Sequence, residues 1–114
     1  MSLKIAVASK YGKGLEDIVS EVFGKTEYFT IVEIRDHSIE SVQVVKNPGF
    51  EFTHGSGPIA AKELLDLGVR VVIAAEVGPT VGSIFKERNV EVFKVKAGIS
   101  VEEALSWYLR AKER

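Results

Sequence analysis

The chain contains no cysteine among its 114 residues. Disulfide bridges, thiolate nucleophiles and thiolate-held zinc or iron–sulfur sites all require cysteine sulfur, so the sequence excludes them. Any metal that the protein binds through its own side chains must therefore use imidazole or oxygen ligands. Few imidazole ligands are available, because the sequence has only two histidines.

The chain also lacks an excess of either charge, because it has 15 lysine and arginine residues and 16 aspartate and glutamate residues. A formal net charge of −1 does not indicate a nucleic-acid-binding surface. No apolar run approaches the roughly 20 residues that cross a bilayer, and the first residues do not form a signal peptide. We therefore expect a cytoplasmic protein that binds neither nucleic acid nor a membrane, folded as one domain over residues 1–114.

The pattern along the chain alternates between buried strands and amphipathic helices. Short β-branched runs predict strands at 3–9, 27–36, 39–47, 69–76 and 90–95, and apolar residues at helical spacing predict helices at 15–24, 58–68, 79–89 and 100–113. The second and third strands alternate in polarity and are joined by a short turn, which predicts an antiparallel hairpin. The fold class that follows is a three-layer α/β domain with a mixed five-stranded sheet, in which strands 3–9 and 69–76 are parallel central neighbours.

The last helix has a start signal, because Ser100 and Glu103 have the spacing of a capping box. Trp107 and Tyr108 lie on the same helix, and we expect both to pack into the core.

Glycine-rich loops follow the predicted parallel strands, where ligands bind in such sheets. These loops are Ser9–Gly14, His54–Gly57, Glu76–Pro79 and Ala97–Ser100. They predict a cleft that accepts an anion, since glycine permits close backbone approach and helix N-termini direct N–H groups outward. The alternative is that such loops need glycine for their own turns.

Two polar residues at this predicted cleft have alternative roles. His54 is either a ligand for a metal or an anion, or a turn residue that caps backbone groups. Glu76 is either a functional carboxylate or a surface charge at a strand end. His37 falls in the hairpin turn, where we expect it to be solvated. Motifs for an enzyme are lacking, since the chain has no G-x-S-x-G, no Walker motif and no G-x-G-x-x-G after its first strand.

Five blocks in order, "KIAVAS", "EVFGKTEYFTIVEI", "HGSG", "GVRVVIAAEVGP" and "VEEALSWYL", give the chain a family resemblance. The sequence resembles the dinitrogenase iron-molybdenum cofactor biosynthesis family, the NifX- and NafY-like group, over most of its length. The resemblance implies a ribonuclease H-like fold. It also implies a protein that binds or carries the iron-molybdenum cofactor or a related iron–sulfur cluster and does not catalyse a reaction.

Residues of this chain match the family motifs at several turns. The matching positions are Ser9, Gly12, Phe23, Gly24, His54, Gly55, Gly57, Gly78 and Pro79. Many family members have histidine where this chain has Val22, and Gly-Gly where it has Ala75-Glu76. The predicted binding site comprises Ser9, Gly12, His54, Gly55, Gly57, Glu76, Gly78 and Pro79, with His54 as the metal ligand; Glu76 belongs to it by its position at the strand end and the other residues by resemblance.

The interpretation is therefore a small, non-catalytic binding protein for an anionic metal–sulfur cluster or a similar small anion. Two alternatives remain open. One is a small hydrolase or nucleotide-binding enzyme that uses His54 and Glu76, and the other is a regulatory interaction module without a ligand.

Overall fold

The computed structural model describes residues 2–113 and contains five strands and three α-helices. The strands are β1 (Ser2–Ser9), β2 (Tyr28–Arg35), β3 (Ser38–Lys46), β4 (Val71–Ala74) and β5 (Glu91–Lys94). The helices are α1 (Ser56–Asp66), α2 (Pro79–Glu87) and α3 (Val101–Lys112). No helix in the described range is long and apolar enough to cross a membrane.

The sheet has the order β3-β2-β1-β4-β5 and is mixed. β1 pairs antiparallel with β2 and β2 with β3, whereas β1 pairs parallel with β4 and β4 with β5. The prediction that the first and fourth strands are parallel central neighbours is confirmed, with Ile5 beside Val71 and Val7 beside Ile73. The predicted hairpin is confirmed as well; its turn places Asp36 and His37 at positive φ.

The sheet lies between two helical layers, which confirms the predicted three-layer α/β architecture. On one face α1 and α2 bury Ala61, Leu64 and Phe85 against Ala6 and Val72. On the other face α3 packs Val101, Leu105 and Tyr108 over Ile5 and Ile73. Because successive residues of β1 point to opposite faces, this strand contributes to both cores and is buried from Ile5 to Ser9.

Two predictions of local structure were wrong. Residues 15–24 do not form an α-helix; this region has two short 3-10 helices, Gly14–Glu16 and Phe23–Lys25, joined by an extended segment. The backbone of the extended segment bonds to distant loops, so tertiary hydrogen bonds replace helical ones. Trp107 is 39% exposed and is not a core residue, whereas Tyr108 is buried as expected.

Candidate functional site

Four strands end at the same edge of the sheet, which we call the carboxyl edge. β1, β4 and β5 are mutually parallel, and β3 runs the same way because two antiparallel pairings separate it from β1. All three helices begin at this edge, since α1 follows β3, α2 follows β4 and α3 follows β5. The topology therefore brings together the ends from which the predicted glycine-rich loops arise.

The segment 17–23, which we call the crossing segment, runs across this edge. The Ser20 N–H donates to the Ala8 carbonyl at 3.0 Å, and the Val19 N–H donates to the Ile99 carbonyl at 2.9 Å. Further along, the Phe23 N–H donates to the Glu76 carbonyl at 2.9 Å. The crossing segment thus links the loops that follow β1, β4 and β5, and it occupies space that the sequence assigned to one open cleft.

Asp17, at the start of the crossing segment, binds the backbone of the first glycine-rich loop. Its carboxylate is 1% exposed and accepts the N–H groups of Tyr11, Gly12 and Lys13 at 2.9, 2.8 and 3.1 Å. The Ile18 N–H donates to the other carboxylate oxygen at 2.7 Å. Burial alone would raise the pKa of Asp17, but donation from these backbone groups outweighs it and holds the pKa below its usual value. We expected the backbone N–H groups of this loop to bind an external anion. They bind the Asp17 carboxylate instead.

Ser9 and Gly12 support this edge from within. Ser9 is fully buried, and its hydroxyl shares a hydrogen bond of 2.9 Å with the Thr30 hydroxyl. The φ of +75° at Gly12 favours glycine, and a Cβ at that position would lie 3.2 Å from the Tyr28 ring. Ser9 is therefore not accessible to a large ligand, whereas Gly12 is partly exposed.

A cleft of about 350 Å³ opens on the outer side of the crossing segment; we call it the carboxyl-edge cleft. Its size is within the range of small-ligand pockets. The lining residues combine two lysines, two carboxylates, two hydroxyls and apolar side chains: Lys10, Tyr11, Ser20, Glu21, Val22, Lys25, Thr26, Glu27 and Phe50. Of the residues predicted individually none lines this cleft, but Lys10 and Tyr11 belong to the predicted loop Ser9–Gly14; Lys25, Thr26 and Phe50 were not predicted.

The hydroxyls of Ser20 and Thr26 form a fixed part of the cleft. They lie 2.6 Å apart, and the Thr26 hydroxyl donates to the Ser9 carbonyl at 2.6 Å. Because a threonine hydroxyl carries one proton, Ser20 donates to Thr26. This part of the cleft is therefore rigid, and the Ser20 proton is already used.

The turn that contains His54 approaches the cleft from the α1 side. His54 is exposed, and the N-cap of α1 is Gly55, at a φ of 74°, so the helix begins at Ser56, two residues before the predicted start at residue 58. A Cβ on Gly24 would lie 3.0 Å from the backbone of Gly57, so the second 3-10 helix packs directly on the first turn of α1. The Lys25 ammonium also donates to the Phe52 carbonyl at 3.3 Å, which ties this turn to the cleft.

The loop that contains Glu76 lies next to Val22. The Glu76 carbonyl accepts the Phe23 N–H, and Glu76 itself is exposed. Gly78 and Pro79 line a different groove, between α2 and β5, together with Lys86 and Lys94. The loop Ala97–Ser100 leads to the opposite face, where the Ser100 hydroxyl accepts the Glu103 N–H at 3.0 Å and caps α3. The crossing segment separates this loop from the turn before α1.

The donor set limits how a metal could be held. Within residues 2–113 no three His, Asp or Glu side chains are grouped so that they could hold a metal ion. Iron–sulfur clusters are usually held by cysteine thiolates, which this sequence lacks. This donor set suits a preassembled cluster, which brings its own sulfur, better than a bare metal ion.

These observations define a small three-layer α/β protein whose carboxyl-edge cleft is built by a crossing segment and the turn before α1. Residues 1–111 match the family described as dinitrogenase iron-molybdenum cofactor, and the chain belongs to that family.

Relatives of known sequence or structure cover most of the chain. An uncharacterised protein of Methanocaldococcus jannaschii, MJ0580, is 31% identical over 94 residues, which span 82% of this chain and 79% of that protein. The apo form of the orange protein from Desulfovibrio gigas is 27% identical with a TM-score of 0.85, covering 96% of this chain and 88% of that one. A proposed NifB protein from Thermotoga is 31% identical with a TM-score of 0.78, covering 96% and 90%.

Proposed function

We propose that this protein is a non-catalytic binding protein that holds an anionic metal–sulfur cluster, such as the iron-molybdenum cofactor or a precursor, in the carboxyl-edge cleft. The observation that carries the proposal is the position of the cleft, which is lined by Val22, Lys25 and Thr26 around the Phe23-Gly24 pair that matches a family motif. Family membership supplies the class of ligand.

The lining suits a ligand that is both charged and polarisable. Lys10 and Lys25 bring positive charge, which Glu21 and Glu27 of the same lining formally balance, and Val22 and Phe50 offer apolar surface to sulfur. Lys10 is paired with Glu21 at 3.7 Å, but this pair is exposed and therefore weak. An incoming anion can replace Glu21 as the partner of Lys10.

His54 would contribute the metal ligand in this proposal. The other imidazole, His37, lies in the β2–β3 turn at the far edge of the sheet. His54 is exposed in the turn that Lys25 contacts through the Phe52 carbonyl. His54 does not line the cleft itself, so it would contact only a ligand that extends from the cleft to this turn.

The hydrolase alternative gains no support from the cleft. His54 and Glu76 are both exposed on separate turns, and neither lines the carboxyl-edge cleft. If the protein is instead an interaction module without a ligand, it should bind no small molecule, and a titration should show no binding.

Titration with tetrathiomolybdate tests the proposal, since this anion carries molybdenum and sulfur and absorbs visible light. Binding should be saturable, and Lys25→Gln should weaken it by about tenfold at low ionic strength. The matched control is Lys86→Gln, which removes an equal charge from the groove between α2 and β5. Equal affinities for wild type and Lys25→Gln, or a loss only in Lys86→Gln, would contradict binding in the carboxyl-edge cleft.

The charge of Glu76 gives a second prediction at the same site. The bond between the Phe23 N–H and the Glu76 carbonyl holds the backbone of Glu76 next to the crossing segment, although Glu76 does not line the cleft. Two unit charges about 4 Å apart interact by roughly 4 kcal/mol at an effective dielectric of about 20, and solvent exposure reduces this figure. Glu76→Gly should therefore bind tetrathiomolybdate more tightly than wild type, most clearly at low salt. Equal affinities of wild type and Glu76→Gly at low salt would contradict this prediction.

A further inference from the structure

β5 is an edge strand of the sheet, and its backbone is open on one side. It pairs with β4 only. The N–H groups of Glu91 and Val95 donate to carbonyls of the segment 70–74, both at 3.0 Å. Because successive residues of a strand direct their backbone groups to alternate sides, the N–H and carbonyl groups of Val92 and Lys94 point away from β4. β5 therefore presents donors and acceptors with which another strand can pair.

A groove of about 400 Å³ lies beside this open edge, between β5 and α2; we call it the α2–β5 groove. Val77, Val90 and Val92 give it apolar walls, and all three belong to or pack against the core on the α2 side of the sheet. Gly82 of α2 lines the groove too, and a Cβ at that position would meet no atom within 4 Å. The groove therefore has room for a side chain of a strand that pairs with β5.

The charge of the groove has one sign. Lys86 and Lys94 line it, and no carboxylate does so in the part of the chain that the structure describes. Both lysines are exposed, and neither takes part in the ion pairs found within residues 2–113. A lysine on an edge strand discourages indiscriminate pairing, and the same charge favours an acidic strand.

The two lysines lie at opposite ends of the groove. α2 runs antiparallel to β5, because it begins at the carboxyl edge and ends where the Val90 N–H donates to the Phe85 carbonyl at 2.8 Å. Lys86 is therefore near the start of β5, whereas Lys94 is the last residue of that strand. Val92 lies between them. An incoming strand meets positive charge, then apolar surface, then positive charge.

We propose that the α2–β5 groove binds an extended acidic segment of another protein, with the pattern acid-x-apolar-x-acid. Residues i, i+2 and i+4 of a strand point to one face, so these three side chains all face the groove. The backbone of the segment pairs with Val92 and Lys94, and its apolar side chain lies beside Gly82. Its two carboxylates face Lys86 and Lys94.

The sequence favours a different protein over a second copy of this chain as the partner. The pattern acid-x-apolar-x-acid occurs once in the chain, at residues 17–21, which read Asp-Ile-Val-Ser-Glu. Asp17 and Val19 are each 1% exposed, and the backbone of this segment bonds to its own loops. A folded second copy therefore cannot offer this segment to the groove.

Fluorescence anisotropy with labelled, terminally capped peptides tests the proposal. Thr-Glu-Thr-Val-Thr-Glu-Thr carries the pattern and should bind with a dissociation constant on the order of 10 to 100 μM at low salt, because a short strand buries less than a standard interface. The isomer Thr-Glu-Val-Thr-Thr-Glu-Thr has the same composition and charge. It should bind about tenfold more weakly, because its valine faces away from the groove.

Variants locate the peptide on the protein. Lys86→Gln and Lys94→Gln should each weaken binding by about two- to fivefold, as expected for exposed ion pairs. Gly82→Leu should weaken it by about tenfold or more, because the side chain fills the groove while leucine favours the helix. Lys25→Gln is the matched control, since it removes an equal charge from the carboxyl-edge cleft, and it should leave peptide binding unchanged.

Amide hydrogen exchange separates strand pairing from attraction between charges alone. The N–H groups of Val92 and Lys94 should exchange about tenfold more slowly when the peptide occupies most of the protein. The N–H of Phe93 faces β4 and should change little. Unchanged exchange at Val92 and Lys94, or equal binding of the two isomeric peptides, would overturn the proposal. Displacement of the peptide by inorganic phosphate at constant ionic strength would also overturn it, because the groove would then be a site for small anions.

Discussion

Replacing Asp17 by asparagine should destabilise the protein strongly, although the change preserves the shape of the side chain. In the native structure the buried carboxylate accepts four backbone N–H groups, with Gly12 at 2.8 Å and Ile18 at 2.7 Å as the closest. These bonds fix both the loop after β1 and the start of the crossing segment. Asparagine has one acceptor oxygen and no charge, so it cannot satisfy both groups of donors.

The magnitude follows from the bonds that are lost. A hydrogen bond to a charged group contributes about 1.5 to 3 kcal/mol net, and a buried donor left without a partner costs about 1 to 3 kcal/mol. Since asparagine retains some of these bonds, we expect Asp17→Asn to lower the free energy of unfolding by about 2 to 4 kcal/mol. That is a large part of the roughly 5 to 15 kcal/mol of a typical domain.

The effect should depend on pH in a defined direction. The pKa of Asp17 is lowered in the folded state, so the carboxylate stabilises the fold fully above its unfolded pKa of about 3.9. This stabilisation is lost as the pH falls through the folded pKa, where the carboxyl becomes protonated. The difference between wild type and Asp17→Asn should therefore be complete at neutral pH and should shrink in acid.

Urea unfolding followed by circular dichroism, at neutral pH and in steps toward pH 3, measures this difference. Asp36→Asn is the matched control, because Asp36 is exposed in the β2–β3 turn and its change should cost less than about 0.5 kcal/mol. The reasoning is refuted if Asp17→Asn unfolds within about 0.5 kcal/mol of wild type at neutral pH. It is equally refuted if the difference persists unchanged in acid.

Three further predictions concern packing and the site. Ile73→Ala opens a cavity at a fully buried position of β4 and should cost about 2 to 5 kcal/mol in urea unfolding, whereas a loss below about 1 kcal/mol would contradict its burial. His54→Ala should melt within a few degrees of wild type, because the residue is exposed, while weakening tetrathiomolybdate binding; a much earlier melting point would favour a capping role. Gly24→Ala should lose about 1 to 3 kcal/mol of stability, because its Cβ meets the Gly57 backbone at 3.0 Å; Gly78→Ala, with nothing within 4 Å, serves as control.

The strands and α-helices could be predicted because their patterns depend on burial alone. β1 and β4 are buried on both faces and therefore carry uninterrupted apolar runs. α1 and α2 each cover one face of the sheet, so their apolar residues recur at helical spacing and their glycines mark the ends. In these elements local preference and tertiary packing agree.

The region 15–24 could not be predicted from the same pattern. Val19 and Phe23 are buried four residues apart, as on a helix, but they reach the core from an extended chain. The partners that hold this chain are remote, since Val19 bonds to Ile99 and Phe23 to Glu76. Only Asp17 offered a local indication, because aspartate beside a glycine-rich loop often accepts backbone N–H groups in place of a helix.

The carboxyl-edge cleft lies at the edge of the sheet where the sequence predicts a site, but its walls are different; the binding residues themselves stay a prediction. Topology determines the edge, because ligands bind beyond the carboxyl ends of parallel strands. The walls depend on the crossing segment, which covers Ser9 and brings Lys25 and Thr26 to the surface of the cleft. Gly24 and Gly57, which match the family motifs, lie behind the lining of the cleft. Because they have no side chain, the two backbone segments that contain them can come into contact.

The two positions at which this chain departs from the common family pattern are neighbours in space. Val22 precedes Phe23, whose N–H donates to the Glu76 carbonyl at 2.9 Å. One change exchanges an imidazole for an apolar side chain that lines the cleft, and the other adds an exposed carboxylate in the adjoining loop, outside the lining of the cleft. For the proposed cluster, both changes would act in the same direction, since they would remove a metal ligand and reduce the attraction for an anion. If the changes are coupled, Val22→His and Glu76→Gly together should raise tetrathiomolybdate affinity by more than the product of the single effects. Independent effects would instead indicate that residues 22 and 76 contact different parts of the ligand.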